Sequence, residues 1–486
     1  MSTDAPLTYA IRPLLLVKSF GAMSPILVAL TLVPMAVSFV FYEYAIARSY
    51  GFIILFLLAL FLVTRRIRIS LASMQTNEVF ALVALLFLLV PLLMTYPMMQ
   101  ADIPFVDAYF EALSGATTTG LSTLPSVDGM PRPFLFARAW MQWYGGLGIV
   151  VFSLALVFRP GGIAKRLSAT EDIGEDLWGG TKAYARRVLV AYLVLTAAGI
   201  AAMAISGASF FNSVVYTLAA VSTGGFAPYD ASLAAIGVLP QYITTIVCFL
   251  GATPLVLYAP PYRKTRGARM MRLESVTLAG LGIAFVVLFM LCLRYVEGVG
   301  WTDALEHAPV MALSAQSTAG FADMDLAPLH AVTKAVLLPA MLTGGCIGST
   351  AGGFKILRLL LFFGLLRTFL ARVNMPRHAV RPPQLLGMEM DEDVIRNALL
   401  LTMLYIFTVL ISWMAFLAYG YAPLDSLFDV VSAVGTVGLS TGVTAASLPA
   451  PLKLVLCLDM LMGRVEIFAI LVLLNPTSWF ARRANP

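Results

Sequence analysis

The segment Ala116-Thr-Thr-Thr-Gly-Leu-Ser122 returns three times along the chain, as Val221-Ser-Thr-Gly-Gly-Phe-Ala227, Gln316-Ser-Thr-Ala-Gly-Phe-Ala322 and Val434-Gly-Thr-Val-Gly-Leu-Ser440. Every copy fits Thr-x-Gly followed by Leu or Phe. Each closes a short apolar stretch: Phe105 to Ala116, Ser209 to Val221, Thr302 to Gln316 and Leu424 to Val434. At about 1.5 Å per residue, such stretches cover about half of a ~30 Å hydrocarbon layer, so as helices they must enter and turn back. One Thr/Gly turn fits a simple tight reversal, whereas four at the same place in four similar units mark an internal repeat. Pro104, Ser209, Thr302 and Pro423 supply the expected helix starts, a Pro in the first turn or a hydroxyl at the cap.

Long apolar runs flank every short one. The first helix of each unit is expected near 78–98, 187–206, 275–294 and 397–419, and the second near 133–158, 239–260, 329–370 and 452–475, all able to span. Two earlier runs, near 23–42 and 50–64, separated by Glu43 to Ser49 and followed by Arg65, Arg66 and Arg68, form a leading hairpin. The fold expected is an all-α polytopic membrane protein: an N-terminal two-helix hairpin (1–70) and four pseudo-repeated helix, re-entrant loop, helix units (71–160, 161–262, 263–380 and 381–486) around one axis.

Composition agrees. Of 486 residues, 60% are hydrophobic and only 12% charged, which places most of the chain in lipid rather than water. Unpaired backbone polar groups are costly there, so the spans are helices or a closed barrel, and long unbroken apolar runs exclude the barrel's alternation. The net charge of +6 comes from Lys and Arg at helix ends rather than from one stripe, which argues against a nucleic-acid partner. Cys248, Cys292, Cys346 and Cys457 are far apart and form no CxxC pair, so neither disulfides nor a metal-thiolate site is indicated. His307, His330 and His378 are scattered and no acid/base or nucleophile cluster recurs, so an enzyme is not expected. The start lacks the order of a cleaved secretory signal, and the first helix is expected to be retained.

With both termini in the cytoplasm, most basic residues fall inside: Arg159, Lys165, Arg166, Lys182, Arg186, Arg187, Arg263, Lys264, Arg266, Arg269, Arg272 and the arginines at 367, 372, 377, 381, 396, 482 and 483. Only Arg48, Arg132, Arg138, Arg294, Lys334 and Lys453 remain outside. All four re-entrant segments then enter from the outer face. The basic loops 159–185, 261–274 and 371–395 suit either a cytosolic partner or anionic membrane lipid.

The repeated turn has a chemistry. A dehydrated K⁺ needs rings of oxygens, which backbone carbonyls supply where small residues let the chain extend. The candidate K⁺ ligands are Thr117, Thr118, Thr119 and Gly120, with Ser222, Thr223, Gly224 and Gly225, then Ser317, Thr318, Ala319 and Gly320, and finally Gly435, Thr436, Val437 and Gly438. The threonines add hydroxyl oxygens, the glycines free the backbone, and each short helix aims its negative C-terminal end at the axis, which favours a cation. Asp107, Glu111, Asp230, Glu306, Asp323, Asp325, Asp425 and Asp429 lie near the outer mouth, as cation concentrators or as ordinary solvated charges and caps.

Two features stand below the turns. Gly344, Gly345, Gly348, Gly352 and Gly353, with Ser349 and Thr350, interrupt the second helix of the third unit, and non-helical backbone at this depth is tolerated where protein or a water-filled cavity satisfies it. A kinked, tightly packed helix is the alternative; a nucleotide loop is disfavoured because Gly-Lys-Ser/Thr is missing. Arg464 lies in the last apolar run, where an arginine costs at least about 2.5 kcal/mol. Asp459 and Glu466 are poorly spaced to pair with it along a helix. Pointing into the cavity, it would repel a K⁺ about 8 Å away by about 2 kcal/mol at an effective dielectric of 20. The other reading is an arginine fixing helix packing through carbonyls. Lys355 either acts with Arg464 or snorkels.

The chain resembles the TrkH/TrkG branch of the Trk/Ktr/HKT superfamily of potassium transporters over nearly its whole length. The four turns match that family's selectivity filter, and Gln142-Trp-Tyr-Gly-Gly-Leu-Gly-Ile149, Gly344-Gly-Cys-Ile-Gly-Ser-Thr-Ala-Gly-Gly-Phe-Lys355 and Gly463-Arg-Val-Glu466 also match. Val465 in place of the more usual leucine and Ala319 in the third turn are departures. The resemblance implies K⁺ uptake across the cytoplasmic (inner) membrane, with Gly120 marking K⁺ preference over Na⁺ and the Gly-rich segment as a gating loop. It also implies a homodimer with one pore per subunit and a cytosolic TrkA-type nucleotide-binding subunit, so that no organic cofactor is expected in this chain. The competing reading is an alternating-access symporter moving K⁺ with H⁺ or Na⁺, which also uses repeats and broken helices.

Overall fold

The computed structural model describes residues 10–71, 74–157, 180–258, 266–373, 384–385, 388–389, 392–465 and 467–480. Arg159, Lys165, Arg166, Arg263, Lys264, Arg377, Arg381, Glu466, Arg482 and Arg483 therefore lie outside the described residues.

Leucine-rich runs without strand alternation fold into helices throughout: α1 (Pro13–Val40), α2 (Tyr44–Thr64), α3 (Thr76–Met99), α4 (Phe105–Ala116), α5 (Arg132–Val157) and α6 (Gly180–Ile205) in the first half. Then follow α7 (Phe210–Val221), α8 (Val238–Gly251), α9 (Arg266–Tyr295), α10 (Trp301–Gln316), α11 (Ala331–Thr343), α12 (Ile356–Val373), α13 (Glu392–Ala418), α14 (Pro423–Val434), α15 (Ala450–Val465), α16 (Ile467–Leu474) and α17 (Pro476–Phe480). Two-residue strands at Gln384–Leu385 and Met388–Glu389 pair antiparallel. Among the described residues, six helices are long and apolar enough to cross a membrane: α1, α2, α3 and the greater parts of α6, α9 and α13. Large apolar side chains such as Val276 and Ile283 stand exposed on them, as lipid-facing surfaces require. The chain is an all-α polytopic membrane protein.

The leading hairpin differs from expectation at its start. α1 begins at Pro13, ten residues before the expected apolar run, because Pro at the first helical position and Leu14 to Val17 already favour the helix. Gly21 lets α1 approach α2 so closely that a Cβ there would lie 1.9 Å from the Thr64 hydroxyl oxygen. That hydroxyl is itself committed to Leu60 O at 2.8 Å. The hairpin is tied to α3 by Glu78, which has no exposed surface and accepts from Arg12 Nε at 2.7 Å and from Arg12 Nη2 at 2.8 Å. The Gln75 N–H, at the start of α3, donates to the same carboxylate at 2.8 Å. Trp140 on α5 donates to Leu30 O at 2.8 Å, joining the hairpin to the core.

The short helices fall where the repeat analysis puts them, with one change of cap. Ser209 caps α7, its hydroxyl accepting from Asn212 N at 3.3 Å. Pro423 opens α14, but α10 is capped at Gly300 and Thr302 already lies inside the helix.

Three of the four second helices are not the single spans expected. α8 stops at Gly251, before Thr253 and Pro254; α11 stops where Gly344 takes φ +63; and the last run is divided between α15 and α16. The cause is close approach. A Cβ at Gly145, Gly251 or Gly463 would lie 2.1, 2.6 or 1.9 Å from Ala116 O, Val221 O or Val434 O, the last residues of three short helices. These second helices are shaped to cup the ends of the short ones, not to run straight.

Gly21→Val should loosen α1 against α2 by about 1–3 kcal/mol, as overpacking does. The thermal midpoint in detergent is expected to fall, while Gly51→Val, where nothing lies within 4 Å of the added Cβ, leaves it unchanged.

Candidate functional site

Each short helix ends the same way. Thr118, Thr223, Thr318 and Thr436 adopt φ of 53, 52, 55 and 49°, the left-handed conformation that usually calls for glycine after a helix. Their N–H groups donate three residues back, to Gly115 O, Ala220 O, Ala315 O and Ala433 O at 3.0–3.2 Å. The next N–H in each copy donates five residues back, to Ser114 O, Ala219 O, Ser314 O and Ser432 O at 2.8–2.9 Å. This is the Schellman pattern four times over, with a β-branched residue where it costs about 1–3 kcal/mol each. The threonine is retained for something its side chain does.

Two residues later the chain turns again, with Gly120, Gly225, Gly320 and Gly438 at φ of 90, 83, 73 and 101°. These glycines close a cycle. A Cβ at Gly120 would lie 2.3 Å from Gly224 O, at Gly225 2.1 Å from Ala319 O, at Gly320 1.9 Å from Val437 O, and at Gly438 2.2 Å from Thr119 O. Each glycine thus rests against the carbonyl of the residue before the next glycine, and the fourth returns to the first.

All four threonines are fully buried. Thr223 Oγ1 donates to Ser222 O at 2.7 Å, and Thr318 Oγ1 accepts from Gly352 N at 2.7 Å. Thr118 Oγ1 and Thr436 Oγ1 have no hydrogen-bond partner. Buried hydroxyls are rarely left so, and an oxygen ligand to a cation would be. The residues before them behave otherwise: Thr117, Ser222 and Ser317 turn their hydroxyls back onto Leu113 O, Leu218 O and Ser314 O, and Gly435 has none.

On one side of the ring lies a cavity of about 450 Å³ lined by Gly120, Gly225, Gly320 and Gly438, with Asp230 and Asp325 at its wall. On the other side lies the Gly-rich segment. Gly352 N reaches Thr318, a Cβ at Gly352 would be 2.0 Å from Thr436 Oγ1, and Thr350 Oγ1 donates to Val221 O and Gly251 O at 2.9 and 3.0 Å. Gly344, Gly348 and Gly353 take positive φ so that the segment can fold back on itself. Arg464 is buried and donates to Thr350 O at 2.8 Å, while its Nε and second Nη have no partner. Asp459 does not pair with it and instead accepts from Ser412 at 2.6 Å. Lys355, at φ +74, donates to Ala351 O. Ser349, Gly352, Lys355 and Arg464 share the wall of a small cavity there.

The mouth carboxylates separate into kinds that the sequence did not distinguish. Glu111 and Asp429 are not solvated at all. Glu111 accepts from Ser122, Thr123 N and Arg138 Nε, and Asp429 from Ser440, Thr441 and Thr444, so both brace the strand that leaves a turn. Asp107 and Asp425 pair with Lys453 at 2.5 Å and Lys334 at 2.8 Å. These lysines and Arg138, expected as outer flanking charges, are buried struts. Asp323 meets His307 Nδ1 at 3.0 Å; burial pushes its carboxyl up from 3.8 to about 6, with His307 pulling the other way and Glu306 adding to the rise.

Residue spacing also missed Gln142, which touches the second turn directly. Its Nε2 donates to Gly224 O at 2.5 Å and its Oε1 accepts from Phe226 N at 3.1 Å.

Residues 46–259 and 267–479 match the TrkH family, described as cation transport proteins. The chain is 30% identical over 437 residues to the Trk system potassium uptake protein TrkI of Halomonas elongata, covering 86% of each. It is 28% identical over 423 residues to TrkH of Escherichia coli K12, covering 84% of this chain and 87% of that one. The crystal structure of the potassium transporter TrkH from Vibrio parahaemolyticus superposes with a TM-score of 0.83 at 24% identity, covering 96% of this chain and all of that one. That likeness shows a shared fold.

Because Asp323 binds its proton more tightly when folded, the native state holds more protons than the unfolded one between pH 4 and 6. Its contribution to stability is therefore lost as pH rises through that window. Asp323→Asn should flatten this part of the profile, read as thermal midpoints in detergent from pH 4 to 7; parallel profiles for both proteins would refute it.

Proposed function

The chain belongs to the TrkH family of cation transport proteins, and on that premise we propose that it takes up K⁺ across the cytoplasmic (inner) membrane through the ring of Thr-x-Gly turns, acting as a selectivity filter. It is a transporter, not an enzyme. The observation that carries the reading is the closed glycine-to-carbonyl cycle containing two buried threonine hydroxyls with no partner. Peptide oxygens packed this closely replace the hydration shell of a cation, and the four helix C-termini supply negative potential from behind.

In this reading residues 71–160, 161–262, 263–380 and 381–486 each contribute one quarter of the pore, and residues 1–70 stand outside it. K⁺ enters the cavity beside Asp230 and loses its water at the level of Gly120, Gly225, Gly320 and Gly438. It then meets the threonine level, formed by Thr118, Thr223, Thr318 and Thr436. Segment 344–353 lies against those threonines and closes the path, so it serves as the gate. Arg464 holds that segment at Thr350 and sets a positive charge on the path. Both roles act in one direction: the arginine stabilises the closed loop and repels the ion.

The wider assembly is proposed on the family likeness alone. The protein is a homodimer with a pore in each subunit, both termini are cytoplasmic, and a cytosolic TrkA-type subunit carries the regulatory nucleotide and moves the gate. K⁺ is the cargo, and the chain itself needs no organic cofactor.

Flux of K⁺ and Na⁺ into proteoliposomes, with and without the cytosolic subunit, tests the function. Saturable low-turnover flux without single-channel currents would favour the alternating-access symporter instead. Gly120→Ser places a Cβ against Gly224 O at a positive φ, and should raise Na⁺ relative to K⁺ permeation; an unchanged ratio would remove Gly120 from the filter. Arg464→Ala should increase K⁺ flux through the closed protein, and equal flux would count against the barrier.

A further inference from the structure

The four turns differ in what stands behind them. In the first and fourth, the filter glycine N–H donates to a serine hydroxyl on its own short helix: Gly120 N to Ser114 Oγ and Gly438 N to Ser432 Oγ, both at 3.0 Å. The second turn has Ala219 at that position and no hydroxyl. It is also the turn with glycine in the middle of Thr-x-Gly, where the others carry Thr119, Ala319 and Val437. The vacant space is filled from outside. A Cβ at Gly224 would fall 2.4 Å from Cδ of Gln142, a fully buried side chain of α5 in the preceding quarter.

The amide is oriented by its contacts. The Phe226 N–H can only donate, so the atom it meets at 3.1 Å is the amide oxygen, and the nitrogen is left to donate to Gly224 O at 2.5 Å. Helix α5 sits at a fixed depth, since Gly145 packs on Ala116 O and Gly146 on Ser222. Counting three residues before the glycine that packs on each short helix, the residues matching Gln142 are Cys248 in the second unit and Met460 in the fourth, neither an amide.

We infer that Gln142 is a specificity-determining positioning residue: its amide clamps Gly224 and Phe226, fixing the second turn and drawing on one carbonyl of the ring. The inference rests on the filter reading. A carbonyl that already accepts a hydrogen bond has less negative potential to offer an ion, and is less free to move inward around a smaller one. Weaker, stiffer oxygens disfavour Na⁺ more than K⁺, because Na⁺ gives up more hydration and needs shorter contacts in return.

The test is the Na⁺/K⁺ flux ratio of Gln142→Met and Gln142→Asn in proteoliposomes, with Gly120→Ser alongside. Methionine keeps the volume, is what the fourth unit carries at Met460, and removes both hydrogen bonds. Asparagine keeps the amide but is one methylene too short, so it carries the test should the methionine variant fail to fold. Either variant should raise the ratio about fivefold, the worth of one ordinary hydrogen bond. A lowered thermal midpoint with an unchanged ratio would make Gln142 a packing residue and overturn the inference. If Gly120→Ser shifts the ratio and the Gln142 variants do not, the filter stands and Gln142 has no part in selectivity. If none shifts it, both readings fall together.

Discussion

Contact between a glycine Cα and the carbonyl of the neighbouring turn is the constraint from which the rest of the site follows. With between 1.9 and 2.3 Å available where a Cβ would stand, none of the four glycines admits a side chain without moving backbone. The same closeness decides what surrounds the turns. Short helices must end at one depth, so each takes the Schellman geometry, and the second helices need Gly145, Gly251 and Gly463 to come close enough to hold those ends. The left-handed threonines are the strained part, and they face the Gly-rich segment. Strain held where an ion and a movable loop meet is strain with a use.

The charged groups support this frame more than they decorate its mouth. Glu111 with Arg138, and Asp429 with its serine and threonines, stand behind the first and fourth strands, the latter without any cation of its own among the described residues. Removing one partner of such a buried set leaves the other uncompensated, which is costlier than never having had either. Lys453 to Asp107 and Lys334 to Asp425 cross between quarters, holding neighbouring units together where the glycine contacts give packing but no attraction of opposite charges.

Much of this is legible in the amino-acid order because repetition is visible without a structure. The Thr-x-Gly copies, the short apolar stretches before them and the glycine interruption at 344–353 all fall where the chain's own periodicity places them. What escaped is tertiary. Nothing local says that Glu111 and Asp429 are enclosed while Asp230 borders the cavity, since both kinds sit a few residues from a turn. Nor does a hydropathy pattern reveal that α8 ends at Gly251, because the residues beyond it remain apolar and only the neighbouring carbonyl forces the break. Gln142 was visible as one letter of a motif, and its meaning depended on an absence, the missing hydroxyl at Ala219, in a different quarter of the chain.

The contact between Gly438 and Thr119 O, together with the Lys453 to Asp107 pair, joins the last quarter to the first. A chain still on the ribosome has three turns in the bilayer and nothing to complete them until its final third of repeats has emerged. Every shorter nascent form holds an open arc of peptide oxygens instead of a cage, and the costly long-range closure comes last. Biosynthesis thus protects the cell's ionic gradients by itself: a truncated or stalled copy lacks the geometry to leak selectively.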